Sequence, residues 1–266
     1  MAGGSQAGIE SIETGMSVLL AFVRLGARSH QLKNLAEAAG MPPSKVHRYL
    51  VSLIRMGFVE RDELNGNYRL GTQAIQLGAS ALDANDAISL SVEALVALHM
   101  ALGHTMALSV WGSAGPVIVR VEEADRLVAV GIRVGRSLPL LDSAAGLVFC
   151  AFLPPGKVLP LLKAEVSANR QRRDERALKS MKDAQRLLDS VRARGLVRVA
   201  SDLTPGIVAL GAPVFDHRGT PATVLSAIIP ARSPDAAADG RAARALRRRT
   251  MELSGKLGYI PIPKNS

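Results

Sequence analysis

Three amphipathic helical patterns and a hairpin open the chain. In residues 15–25 the apolar side chains Met16, Leu19, Leu20 and Val23 recur at helical spacing, and Gly26 marks a stop. Leu32, Leu35, Ala36 and Ala39 predict a short second helix closed by Gly40. Met41-Pro42 cannot extend it, because proline has no N–H and restrains the residue before it. Pro43 suits the first turn of a third helix. There Val46, Tyr49, Leu50 and Leu53 form a buried stripe, with Lys45, Arg48, Ser52 and Arg55 on the opposite face. Residues 58–62 and 68–70 then predict two strands around Asn65-Gly66, a dipeptide suited to a type I′ turn because both central residues need positive φ.

Residues 71–82 return to a helical pattern, apolar at 75, 77, 79 and 82, and run through 83–86 into a second pattern at 88–102. No flexible Pro/Gly/Ser tether separates the halves, and a helical connection transmits orientation where a floppy one would not. Beyond Gly103 the period changes to two, predicting strands at 105–111, 116–122 and 127–132. A loop at 135–141 leads to Asp142-Ser143, where Asp142 is the expected N-cap of an apolar helix through Leu153. Helices at about 155–168 and 174–194, strands at 207–215 and 222–229, and a last helix from about 235 to 257 complete an antiparallel sheet flanked by helices, an α+β architecture.

Composition narrows the class. A chain of 266 residues, 48% hydrophobic and 21% charged, is too long for one small fold and too apolar for a disordered tail, so two compact domains are expected. The longest apolar run, residues 144–153, falls short of the roughly 18 residues that cross a bilayer. The first residues lack the basic-then-apolar order of a secretory signal. The single cysteine, Cys150, excludes an internal disulfide framework or a thiolate metal cage. A cytoplasmic protein with no membrane partner is expected. The net charge of +10 is concentrated late: residues 151–266 hold 21 Lys/Arg against ten Asp/Glu. Bulk charge favours loose association with polyanions but locates no reading head. The basic segment 169–198 admits a solvated helix face, contacts with DNA flanks or another dimer, or a membrane-surface helix.

Small Ala36, turn Gly40 and inward Val46 satisfy a helix-turn-helix, which needs a small residue at the contact and a glycine at the corner. The third helix then presents Ser44, Lys45, His47 and Arg48 in its first turns, the end that enters a major groove. Taken alone, a helical hairpin with a solvated basic face fits equally well. A hairpin directly after that helix is a wing, able to lay Arg61, Asn67 or Arg69 against phosphates, and Arg55 extends the basic face. The five histidines form no H-E-x-x-H or comparable pair, and no nucleophile elbow, Walker lysine loop or dinucleotide glycine motif is present. No catalytic residue, metal or cofactor is expected, and the protein is not read as an enzyme.

The chain resembles the IclR family of bacterial transcriptional regulators. The resembling residues are 35–42, Ser44, 46–48, Leu50, Leu53, 57–59 and 68–71, and later 138–140, 143–146, Gly195-Leu196, 204–206, 212–216 and 254–258, so the likeness covers nearly the whole length. Pro43 and Lys45 stand where the family more often has lysine and a small hydroxyl residue. The resemblance implies a winged helix-turn-helix that dimerises through its first helix and the linker after the wing, and a GAF-like α/β effector-binding domain that holds a small metabolite between sheet and helix. Position by position it places effector contacts at Ser137, Asp142, Ser143, Ala144, Ala145, Ala209, Ser226 and Ile228, with Val199 where an acidic residue would stand. A pocket lined by Ala, Val and Ile solvates little charge, because unpaired buried polar groups cost several kcal/mol. A largely apolar or aromatic effector with one polar end near Ser143 or Ser226 is expected.

The expected organisation is a flexible N-terminus at 1–14, a winged helix-turn-helix at 15–71, linker helices at 72–102 and the GAF-like domain at 103–266. The expected function is a ligand-responsive regulator, repressor or activator, that binds a roughly palindromic double-stranded operator as a homodimer or homotetramer. The alternative is a small-molecule-binding protein or enzyme whose first domain serves protein contacts.

Overall fold

The computed structural model describes residues 8–26, 29–83, 86–124, 132–171, 178–200 and 206–261. The chain divides into two compact units, residues 1–84 and 85–266.

In the first unit, helices α1 (Glu10–Leu25), α2 (Leu32–Ala39) and α3 (Pro43–Arg55) pack around Val18, Phe22, Leu35, Val46 and Leu50. Gly40 ends α2 in the left-handed region at φ 66°, and its N–H reaches the Ala36 and Glu37 carbonyls. That conformation strains any residue with a Cβ, which is why the corner is a glycine. Helix α1 departs from expectation twice. It begins at Glu10, so residues 10–14, expected in a flexible N-terminus, are helical; Glu10 and Glu13 sit in the first turn, where the helix dipole favours acidic groups. It also turns its other face inward. Gly15, Val18, Ala21 and Phe22 are buried, while Met16, Leu20 and Val23 of the expected stripe are exposed. Both faces are apolar, but small Gly15 lets the backbone approach Tyr49, where an added Cβ would already touch the ring at 3.5 Å.

The wing consists of β1 (Val59–Arg61) and β2 (Tyr68–Leu70), antiparallel, with Glu60 opposite Arg69 and Arg61 opposite Tyr68. Its turn is not type I′. The Asp62 N–H donates to the Asn67 carbonyl and the Gly66 N–H to the Asp62 carbonyl, each at 2.8 Å, so residues 63–66 form the loop. The Asp62 carboxylate accepts from the Leu64 N–H and the Asn65 side-chain amide, both at 2.9 Å. With Asp62 organising the turn, positive φ is needed at Gly66 and not at Asn65. His30 adds a third, one-residue strand, exchanging two 2.8 Å bonds with Tyr68. Helix α4 (Thr72–Asp83) follows, tied to the wing's base by the Gln73 N–H on the Gly57 carbonyl at 3.1 Å. Its Ile75 and Leu77 are exposed, as are Ile9, Ile12, Met16, Leu20 and Val23 along α1.

The second unit is a five-stranded antiparallel sheet between two helical layers. Its strands are β3 (Thr105–Gly112), β4 (Gly115–Glu122), β5 (Val197–Ala200), β6 (Ile207–Phe215) and β7 (Pro221–Pro230), in the order β4-β3-β7-β6-β5. Helix α5 (Asp86–Leu102), expected as the second half of the linker, is part of this unit. Its Leu95, Leu98 and Leu102 join Leu246 and Leu253 of α9 (Arg241–Lys256) over Leu108, Leu210, Leu225 and Ile229. The other face carries α6 (Ala144–Phe152), α7 (Pro155–Gln171) and α8 (Met181–Arg194). Strand β5 was concealed in the sequence by its basic surroundings; Arg198 within it donates to the Ala236 carbonyl at 2.7 Å. The last helix starts six residues late against expectation, after a short 3-10 turn at Pro234–Ala236. The strand expected at 127–132 lies outside the described residues apart from Ile132.

Helix α6 lies unusually close to its surroundings. A Cβ on Gly211 of β6 would fall 2.9 Å from the Ala144 Cβ, and one on Gly146 would strike the Pro139 and Leu140 carbonyls. The Glu165 carboxylate of α7 fixes that loop by accepting the N–H groups of Leu140 and Leu141 at 2.7 and 2.9 Å. Gly146→Ala is therefore expected to destabilise the protein by about 3 kcal/mol, the upper end of overpacking costs, because backbone rather than a mobile side chain must give way. Thermal unfolding against the parent measures this.

Candidate DNA interface and effector site

Helix α3 buries Val46, Leu50 and Leu53 completely or nearly so. At 100° per residue, Ser44, Arg48 and Arg55 then share a line on the opposite side, flanked by Lys45 and His47. All five are exposed, and the side chain of none makes a hydrogen bond, ion pair or ring contact among the described residues. Long cationic side chains held free on a rigid helix are what base edges and phosphates require. Val51, exposed at 37% on the same side, was missed in the sequence because apolar residues were assigned to the core; it offers a methyl contact of the kind that recognises thymine.

The wing residues are less uniform. Arg69 pairs with Glu60 at 2.8 Å across the ladder, and Arg61 packs over the Tyr68 ring at 5.6 Å with its Nε 3.4 Å from the Gly66 carbonyl. The register puts Arg61 and Arg69 on opposite faces of the hairpin. Asn67 stays near the loop, its N–H held by the Asn65 side chain at 2.9 Å.

In the second unit the structure gathers most, not all, of the expected effector residues. Ala209 of β6 and Ser226 and Ile228 of β7 lie on the sheet face covered by α6; Gly211, the register partner of Ser226, contacts Ala144. Ala144 and Ala145 begin α6, where N–H groups lie ahead of the first intrahelical bond and the dipole favours negative charge. Ser226 is 6% exposed and its hydroxyl has no partner. Ala209 remains part-exposed on an inner strand.

Two residues behave otherwise. Ser137 is exposed at the sheet's outer edge and bridges Val117, whose partner Val110 packs on the α5/α9 face, so the fold does not bring Ser137 to this site. Ser143, rather than Asp142, caps α6: its hydroxyl accepts from the Gly146 N–H at 2.9 Å and donates to the Pro139 carbonyl at 2.6 Å. The shorter serine side chain reaches the third residue of the helix while its own backbone stays extended. Half-buried Asp142 precedes it.

Comparison with known proteins gives this geometry its context. The family model described as IclR helix-turn-helix domain matches residues 11–63, and that described as bacterial transcriptional regulator IclR C-terminal matches residues 79–254. The chain belongs to the IclR family of bacterial transcriptional regulators. An IclR relative, the glycerol operon regulatory protein of Streptomyces coelicolor, is 29% identical over 217 residues, covering 80% of this chain and 82% of that protein. The crystal structure of Pseudomonas aeruginosa HmgR is 40% identical with a TM-score of 0.59, covering 96% of this chain and all of that one. An IclR homolog from Microbacterium hydrocarbonoxydans, solved as a complex with 4-hydroxybenzoate, shares the fold at 18% identity and a TM-score of 0.73, covering 91% of this chain and 98% of that one.

The remaining candidate chemistry of this IclR-family chain is structural. His99 Nδ1 lies 2.9 Å from the His104 carbonyl, and His104 Nε2 lies 3.0 Å from Asp235, tying the end of α5 to the turn before α9. No group of three His, Cys, Asp or Glu among the described residues is placed to hold a metal ion. Burial, and then the nearby Glu165 charge, push the Cys150 thiol up to about 12, so it stays protonated and packs as an apolar group. No single described helix is long and apolar enough to cross a membrane.

The two buried serines predict opposite responses to truncation. Ser143→Ala removes a cap and is expected to cost about 1–2 kcal/mol in chemical unfolding. Ser226→Ala removes a hydroxyl that bonds to nothing, and is expected to leave stability unchanged or raise it slightly.

Proposed function

We propose that the chain is a cytoplasmic, ligand-responsive regulator whose paired winged domains read a roughly palindromic operator and whose second domain binds a small, largely apolar or aromatic effector. The observation that carries the DNA-reading part is the set of five unpartnered polar side chains of α3 above a fully buried underside. Ser44, Lys45, His47 and Arg48 approach base edges and phosphates, Arg55 extends the contact, and Arg61 and Asn67 guide the wing. Arg69, neutralised by Glu60, contributes least.

The same unit supplies the homodimer contact. Ile9, Ile12, Met16, Leu20 and Val23 form a continuous exposed apolar stripe along α1, and Ile75 and Leu77 add exposed apolar surface on α4. An apolar stripe of that length facing water is unfavourable unless a second surface covers it. Two copies sharing the stripe present two α3 helices to successive major grooves.

The effector is held on the α6 face of the sheet. Its polar end meets the free Ser226 hydroxyl and the N–H groups and dipole of the first turn of α6 at Ala144 and Ala145, a combination suited to a carboxylate. Ser143 is occupied by its capping bonds. The apolar body lies against Ala209 and Ile228. That a fold of this kind houses 4-hydroxybenzoate in a distant homolog supports an aromatic acid here. Binding changes operator affinity by the difference in its affinity for the two dimer arrangements.

Gel shift with the intergenic fragment upstream of the gene, against scrambled competitor, tests the reading directly. Arg48→Ala is expected to lose about 1–3 kcal/mol on the operator and much less on scrambled duplex, the signature of a bidentate guanine contact. An unchanged footprint and affinity would remove Arg48 from that role. Leu20→Glu is expected to shift the protein from dimer towards monomer in sedimentation velocity, with operator affinity falling in step. A dimer that survives this substitution would place the pairing surface elsewhere.

A further inference from the structure

Buried hydroxyls in this fold are partnered with care. Ser91 bonds Thr223 at 2.8 Å, Thr105 accepts the Ala124 N–H at 3.0 Å, Thr250 donates to the Arg247 carbonyl at 3.3 Å, and Ser254 accepts the Phe215 N–H at 2.8 Å. Among the described residues two buried hydroxyls break the pattern, Ser226 and Ser109. Neither is on the surface: Ser109 is 1% exposed. An unpaired hydroxyl in such a place is costly, and two of them on one sheet face ask for a common explanation.

The register supplies it. Ser109 of β3 lies opposite Val224 of β7 and Ile118 of β4, while Ser226 lies opposite Ala107. Paired residues share a face, so Ser109 and Ser226 are diagonal neighbours on the same side of adjacent strands, about 7 Å apart by strand geometry. Ala107, Ile118 and Ile228 surround them as a separate apolar cluster with Leu138 at its margin. Trp111, two residues beyond Ser109 on β3, stands 5.6 Å from the Phe149 ring of α6, so this face and the helix over it are in contact there. The register partners of Ser109, Ile118 and Val224, are apolar, so that part of the face offers a charged ligand group no counter-charge. A neutral hydroxyl suits it, since a serine hydroxyl donates or accepts and a phenolic hydroxyl does likewise.

We propose that Ser109 is a specificity-determining residue of the effector site: it hydrogen-bonds a neutral hydroxyl on the effector's ring, while Ser226 and the first turn of α6 hold the acid group at the other end. This rests on the effector site proposed above. The favoured class is then hydroxylated aromatic acids over their bare counterparts. Discrimination of this kind arises because the bare ligand leaves the serine unpaired on binding.

The test is titration of the full-length protein with matched pairs, benzoate against 3- and 4-hydroxybenzoate and phenylacetate against its hydroxylated forms, by calorimetry and by fluorescence of Trp111, the single tryptophan. The parent is expected to favour at least one hydroxylated member over its bare counterpart by about three- to tenfold, the range of one neutral hydrogen bond. Ser109→Ala is expected to bring the pair within about twofold, and Ser109→Cys, close in size but a weak donor, to behave like the alanine variant. Ser226→Ala is expected to weaken both members together. A parent without preference, or a preference that survives in both Ser109 variants while aromatic acids still bind, overturns the role of Ser109 and leaves the site standing. If the parent binds none of these acids, the aromatic effector class falls and the role of Ser109 with it.

Discussion

A helix or strand in a compact domain has one face to bury, and burying it commits the other. In this chain that constraint decides both sites. Helix α3 sinks Val46, Leu50 and Leu53 into the first core, and Ser44, Arg48 and Arg55 are thereby fixed outward on a rigid scaffold. Sheet β4-β3-β7-β6-β5 gives one face to α5 and α9, and Ser109 and Ser226 are thereby fixed towards α6. The polar groups are not placed individually. Their orientation follows from where the apolar partners along the same element must go.

Close packing then turns orientation into a site. Gly211 and Gly146 let α6 descend onto the sheet and onto the loop before it: a side chain on Gly211 would press on the Ala144 Cβ, and one on Gly146 would collide with the Pro139 and Leu140 carbonyls. Glu165 holds that loop from α7 through two backbone bonds, and Ser143 closes the helix end. The N–H groups of Ala144 and Ala145 therefore sit beside Gly211 of β6 with little slack, and pre-organisation of this sort lowers the ordering cost of binding. Cys150, raised well out of the reactive range by burial, takes no part beyond filling space.

Much of this was legible in the residues. Strong period-3.6 and period-2 patterns give the helices of the first unit and strands β3, β4, β6 and β7, and the Ala36, Gly40 and Val46 corner points to the helix-turn-helix independently of any family likeness. Failures came where local pattern underdetermines the outcome. Helix α1 has two apolar faces, and period alone cannot say which meets a partner within the same chain. Asn65-Gly66 favours a tight turn, yet Asp62 three residues earlier captured the loop with its carboxylate. Helix α5 read as a connector because its apolar residues also fit a solvent-spanning helix, until the sheet it covers was in place.

The sequence by itself determined the helices of the first unit and strands β3, β4, β6 and β7, which face of α3 is cationic, and which small residues permit tight corners, because these depend on neighbours within a few positions along the chain. Tertiary structure decided the rest. It set Arg61 and Arg69 on opposite sides of the wing, sent Ser137 to the wrong face, tied up Ser143, and left Ser109 and Ser226 side by side without partners. Hydrogen-bond satisfaction and strand register join residues more than a hundred positions apart, and no local pattern carries that information.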